Sequence, residues 1–209
     1  MSNAPRTDFT TKRHSTTYDY ISPLKLNLAG KHVLITGAAW EDGVGYATAS
    51  AFARAGASAI PVVDLHGVSD ELVAGLKMAA IKAGRPEPDV LGYMVDIAKP
   101  ESVQTMHDIV IQRFGGRIDV VINNAAHMEP YAPFLETDAD VYWQTWEVNV
   151  RGLTNMARSF LPTQLSCRAN ENGLCTMVNV ASSGALSVRA GSSSYRTSKL
   201  AIVRWTETM

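Results

Sequence analysis

A chain of 209 residues, 46% hydrophobic and 19% charged, has the make-up of a single globular domain. A formal net charge of −1 with no Lys/Arg cluster leaves no basic surface for nucleic acid or an anionic membrane, and no apolar run is long enough to span a bilayer. Two cysteines, Cys167 and Cys175, and five scattered histidines predict neither a disulfide framework nor a metal site.

Residues 1–25 read as a polar, disordered or draped arm, with residues 26–209 as one domain. The first 22 residues are Ser/Thr-rich and lack the apolar core of a secretory signal. Arg6, Lys12 and Arg13 would suit a mitochondrial leader, but Asp8, Asp19 and the lack of an amphipathic face argue against one, so a cytoplasmic location is expected. The run His32-Val33-Leu34-Ile35-Thr36 reads as a buried strand. Gly37, Gly43 and Gly45 follow, then a helical pattern over 46–55 closed by Gly56. Strand, glycine turn and helix form the setting in which a backbone can approach a pyrophosphate at a helix N-terminus. The spacing is not Gly-x-Gly-x-x-Gly, so the stretch could be a cofactor loop or a plain tight turn.

A second strand is predicted over 57–64. Pro61 within it suggests a bulge or the strand's first paired residue. Asp64 stands nineteen positions after Gly45, where an acid that binds the two ribose hydroxyls is expected; a helix cap or solvated strand end is the other reading. Such an acid would repel a 2′-phosphate and favour NAD over NADP. A helix over 69–83 with Leu72, Leu76, Ala79 and Ala83 along one face comes next. A third strand over 90–95 ends in Asp96-Ile97, and Pro100 opens a helix to about 114. A fourth strand over 119–123 runs into Asn124-Ala125-Ala126.

Thr137-Asp138-Ala139-Asp140 marks the start of one long helix with Val150, Leu153, Ala157 and Leu161 as its stripe and Asn149 inside it. A fifth strand over 174–181 leads to Ser182 and a final helix. Tyr195 and Lys199 are four apart, so a helix beginning near Ser194 puts both on one face. A free phenol ionises near pH ~10, and a nearby cation favours the phenolate, which would serve as a general base. Five strands alternating with helices predict an α/β, doubly wound parallel sheet with helices on both faces. The strands' carboxyl ends offer the glycine loop, Asp64, Asp96, Asn123 and Ser182 on one rim, where such sheets bind ligands.

These pieces together resemble the short-chain dehydrogenase/reductase family. The resemblance rests on Thr36-Gly37…Gly43-Val44-Gly45, Asp64, Asp96-Ile97, Asn123-Asn124-Ala125-Ala126, Asn149, Val178-Asn179-Val180-Ala181-Ser182 and Tyr195-x-x-x-Lys199, in order over about residues 26–209. It implies a Rossmann-like nicotinamide-dependent oxidoreductase acting on a secondary alcohol or ketone. Tyr195 would be the general acid/base, and Ser182 would hydrogen-bond the same substrate oxygen. Lys199 would favour the phenolate and hold the nicotinamide ribose, and Asn149 would anchor a water in a proton relay. Gly37, Gly43, Val44 and Gly45 would take the pyrophosphate and Asp64 the adenosine ribose. Asp96 and Ile97 would flank the adenine, with Asn123, Asn124 and Ala125 lining the cleft. Pairing of copies through the helices over 138–165 and 194–209 is also implied.

The chain departs from the family at four places. Gly43 lies six positions after Gly37, two more than usual, so Trp40-Glu41-Asp42 is expected to bulge outward. Ala126 and Ala181 replace a usual glycine and serine. The final helix keeps its apolar stripe, Leu200, Ile202, Val203 and Trp205, to the last residues. The family's last two strands and substrate-covering loop are missing, so truncation is expected, and a non-catalytic dinucleotide-binding or regulatory protein is the alternative to an enzyme.

Overall fold

The computed structural model describes residues 18–171, 174–188 and 190–209. The arm expected over 1–25 lies outside the described residues as far as residue 17. Residues 18–25 contain two short 3-10 turns, Asp19–Ile21 and Pro23–Lys25. Arg85 ties down this segment by donating to the Leu24 and Leu26 carbonyls at 3.0 and 2.7 Å.

Five parallel strands, β1 (Val33–Thr36), β2 (Ala59–Asp64), β3 (Asp89–Met94), β4 (Val120–Asn123) and β5 (Thr176–Asn179), lie in the order β3-β2-β1-β4-β5. The helices are α1 (Val44–Arg54), α2 (Asp70–Lys82), α3 (Pro100–Arg113), α4 (Ala139–Trp146), α5 (Leu153–Glu171) and α6 (Ser193–Thr208). Strand side chains alternate between faces, so consecutive residues of β1 serve different cores. Val33 and Ile35 pack with Ala49, Ala53, Leu76 and Ala80 of α1 and α2. Leu34 packs with Val103, Met106, Met156 and Phe160 of α3 and α5. Two covered faces explain why β1 and β2 read as unbroken apolar runs. Among the described residues no helix is long and apolar enough to cross a membrane.

Three sequence expectations are corrected. Pro61 is neither at a bulge nor first in its strand: it is the third of six residues, paired with Leu91 in an unbroken ladder to β3. The ladder to β1 instead breaks around it, between a bridge at His32–Ala59 and renewed pairing at Ile35–Val62, because proline has no N–H to donate. Of the expected stripe in α2 only Leu76 is fully buried, together with Ala80, while Leu72, Ala79 and Ala83 are half-buried. The Tyr46 hydroxyl of α1 sits against Gly75 and donates to the Leu72 carbonyl at 3.1 Å, which sets the helix's rotation.

The single long helix after Thr137 is divided by a π-helical stretch, Glu147–Gly152. Leu153 and Ala157 of the expected stripe are buried, joined by Met156 and Phe160, while Val150 and Leu161 are half-buried.

Candidate active site

The five strands deliver their carboxyl ends to one rim, and the strand order reverses at β1, where a crevice opens between the loops. After β1 the chain turns at Gly37 (φ +73°) and reaches α1 through Gly43, its N-cap. A Cβ on Gly37 would lie 2.8 Å from the Ala125 Cα, and one on Gly45 only 2.1 Å from the Gly37 carbonyl oxygen. The loop and the helix start are thus as close as bare backbone allows. No side chain caps α1, so the amides of its first turn face the loop. A glycine cradle with uncapped amides fits a phosphate group. The extra residues Trp40, Glu41 and Asp42 are exposed, and the Trp40 indole meets the His66 ring edge-on at 6.2 Å.

Asp64, at the end of β2, is 9% exposed. Its carboxylate accepts from the amides of Ala39 and His66, both at 3.1 Å, so it braces the glycine loop as well as facing the cleft. Asp64, Asp96, Ile97 and Ala125 line one cleft of about 350 Å³ with Thr36 and Gly37. Asp96 is held by its own loop, accepting from the Ala98 amide at 3.0 Å.

Asn124, expected with its neighbours to line the cleft, also fastens it. Asn124 donates from Nδ2 to the Thr36 and Gly37 carbonyls, each at 3.0 Å, joining the glycine loop to β4. The Thr36 hydroxyl accepts from the Asn124 and Ala125 amides at 3.0 Å. The Asn-Asn pair was a visible signal, but nothing local says which amide faces which loop. Asn123 donates to the Asn179 side chain at 2.8 Å, and its own Oδ1 is buried without a hydrogen-bond partner among the described residues.

The other rim residues come from β5 and α6. Ser182 and Tyr195 line one cavity of about 280 Å³, with Met128, Tyr131 and Arg196 on its walls. The Gly184 amide donates to Ser182 Oγ at 3.0 Å, which fixes the oxygen and leaves the hydroxyl proton free. The Tyr195 hydroxyl has no hydrogen-bond partner among the described residues. Lys199 lies one turn on, its Nζ 5.7 Å from the Tyr195 ring centroid and donating to the Val180 carbonyl at 2.8 Å. Burial, at 2% exposure, pushes the Lys199 ammonium down to about 8.

Lys199 and Asn149 do not line the Ser182–Tyr195 cavity. They share a smaller one with Thr36, Asn123 and Asn179. Asn149, inside the π-helical stretch, accepts from the His127 amide at 2.8 Å and donates to the His127 carbonyl and Ser198 Oγ at 2.9 Å. Val44, first in α1, is 66% exposed.

A family model described as short chain dehydrogenase matches residues 31–209. "Short chain dehydrogenase mpl6" of Monascus purpureus is 38% identical over 209 residues, covering 99% of this chain and 68% of that protein. "Short chain dehydrogenase pigC" of Monascus ruber is 37% identical over 200 residues, covering 96% of this chain and 63% of that one. Among solved structures, NAD+-bound xylitol dehydrogenase superposes with a TM-score of 0.70 at 26% identity, covering 87% of this chain and 64% of that one. The NADH-dependent reductase A1-R′ complexed with NAD gives 0.73 at 26% identity, covering 87% and 73%.

Proposed function

The chain belongs to the short-chain dehydrogenase family, and from that premise we propose that it is an NAD-dependent oxidoreductase interconverting a secondary alcohol and a ketone, with Tyr195 as general acid/base. The observation that carries the reading is the pairing of two hydroxyls in one cavity, Ser182 with a fixed oxygen and Tyr195 without a hydrogen-bond partner among the described residues. A substrate oxygen held between them would take a hydrogen bond from Ser182 and exchange its proton with the Tyr195 phenol. The Lys199 cation beside the ring favours the anion left when that proton departs.

The glycine cradle at Gly37, Gly43, Val44 and Gly45 would hold the diphosphate of the nicotinamide cofactor. Asp64 would take the adenosine ribose hydroxyls, Asp96 and Ile97 the adenine, and Asn123 and Ala125 the inner wall. When bound, the nicotinamide supplies the acceptor or donor for the hydride. The preference for NAD over NADP rests on Asp64: a carboxylate facing the ribose repels a 2′-phosphate. The three bonds of the Asn149 side chain are all to protein, so a water relay from Lys199 would use its main-chain carbonyl, where the helix widens. Pairing of two copies is part of the proposal, supported by a groove of about 750 Å³ between α5 and α6 lined by Ala157, Leu161, Leu165 and Trp205.

Fluorescence titration with NADH and NADPH, followed by an alcohol screen, tests the reading. NADH binding tighter than NADPH binding, and turnover lost in Tyr195→Phe with NADH affinity retained, are expected. A folded chain that binds neither nucleotide would overturn it.

A further inference from the structure

We propose that Glu129 is a positioning residue for this reaction, its buried carboxylate setting where Tyr195 stands; the inference rests on the function proposed above. Glu129 is 1% exposed and follows β4 on the cleft-side loop. Its two oxygens accept separately from the first turn of α6, Oε1 from the Ser194 amide at 2.8 Å and Oε2 from the Tyr195 amide at 2.9 Å. The Thr145 hydroxyl of α4 lies 3.4 Å from Oε2. The described partners are therefore amides and a hydroxyl, and the positive end of the helix dipole balances the charge.

Helices ordinarily cap themselves with the residue just before the first turn. Here that residue, Ser192, is left-handed (φ 46°) and makes no side-chain cap bond. The cap comes instead from a residue 66 positions upstream of Tyr195. Two positions before Glu129, the His127 backbone is clamped by Asn149 through both its amide and its carbonyl. Asn149 also donates to Ser198, whose hydroxyl donates to the Tyr195 carbonyl at 2.8 Å. Tyr195 is thus held at its amide by Glu129 and at its carbonyl by Ser198, and both holds trace back to the loop over residues 127–129. That loop continues from Ala125 in the cofactor cleft, so the arrangement fixes the phenol relative to the cleft.

Side-chain chemistry at this position is narrowly constrained. The two amides point at separate oxygens; glutamine turns one of these into an NH2 donor facing an N–H, and aspartate is one methylene short. Glu129→Gln and Glu129→Ala, compared with wild type, are the test. Amide hydrogen exchange at Ser194 and Tyr195 should quicken by about tenfold to a hundredfold, the loss expected of a hydrogen bond to a charged group. NADH affinity should stay within about twofold while kcat falls by about tenfold to a hundredfold from a misplaced base, less in Gln than in Ala. Unchanged exchange at both amides would overturn the proposal. So would a lowered melting temperature with kcat and NADH affinity of the folded enzyme both preserved, which marks a mere structural prop. Should the Ala variant fail to fold, the nearly isosteric Gln variant decides. A wild type that binds NADH but turns over no alcohol sinks the proposed activity, and the exchange result still settles whether Glu129 holds Tyr195.

Discussion

Replacing Lys199 by methionine should stabilise the fold while abolishing turnover. The ammonium is 2% exposed, and its one hydrogen bond among the described residues is to the Val180 carbonyl. Burial holds its pKa at about 8 against an ordinary 10.5. At about 1.4 kcal/mol per unit, that gap destabilises the charged native state by about 3 kcal/mol. The folded pKa is the lower one, so the native state binds fewer protons than the unfolded chain between the two values. Below about pH 8 both states carry the proton and the full penalty applies; it fades as pH rises towards 10.5 and is gone above. Methionine has a similar length and no charge, and forgoes the Val180 bond at about 1 kcal/mol. The net gain near pH 7 is about 2 kcal/mol, or a melting temperature higher by roughly 4–8 °C for a chain of this size. Urea titrations of wild type and Lys199→Met at pH 7, 9 and 10.5 measure it. The advantage should shrink with rising pH and reverse at the top. A variant less stable at pH 7, or a difference independent of pH, would refute the reasoning.

Other consequences are open to the same kinds of assay. Gly45→Ala sets a Cβ 2.1 Å from the Gly37 carbonyl oxygen, so NADH binding should be lost and stability lowered by about 1–3 kcal/mol from overpacking, read by titration and thermal melt. Asn124→Ala removes both bonds between the glycine loop and β4; about 1–3 kcal/mol of stability should go, with weaker NADH binding. Burial raises the Asp119 carboxyl, but the Arg117 guanidinium and the Leu174 and His32 amides outweigh it and hold it at about 2, below its ordinary 3.8. Its contribution of about 2 kcal/mol should be present above pH ~4 and disappear as pH falls through about 2; Asp119→Asn should lose it at pH 7 and flatten that acid limb in urea titrations. Asp64→Ala should narrow the gap between NADH and NADPH affinity. An unchanged ratio would remove Asp64 from nucleotide selection.

The strand-and-helix alternation was legible because a parallel sheet covered on both faces needs short, continuous apolar runs, and 32–36, 57–64 and 119–123 are such runs. The rim was legible too: each run ends in glycine or a polar residue, and parallel strands bring like ends together. The Tyr195–Lys199 pairing followed from the helical repeat alone. Other features had no local signature. The stripe of α2 depends on where the Tyr46 hydroxyl lands. Pro61 is tolerated inside the sheet because the ladder to β3 is complete without its N–H. The π-helical stretch around Asn149 divides a helix that a 3.6-residue period reads as continuous. Asn124 and Glu129 bond to partners 88 and 65 positions away. Local propensity carries information over a turn or a strand, whereas partners this distant meet only when the crossovers around β1 lay the loops after β1, β4 and β5 side by side. Composition and period determined the layers and the rim; the strand order decided which polar atoms on that rim hold one another.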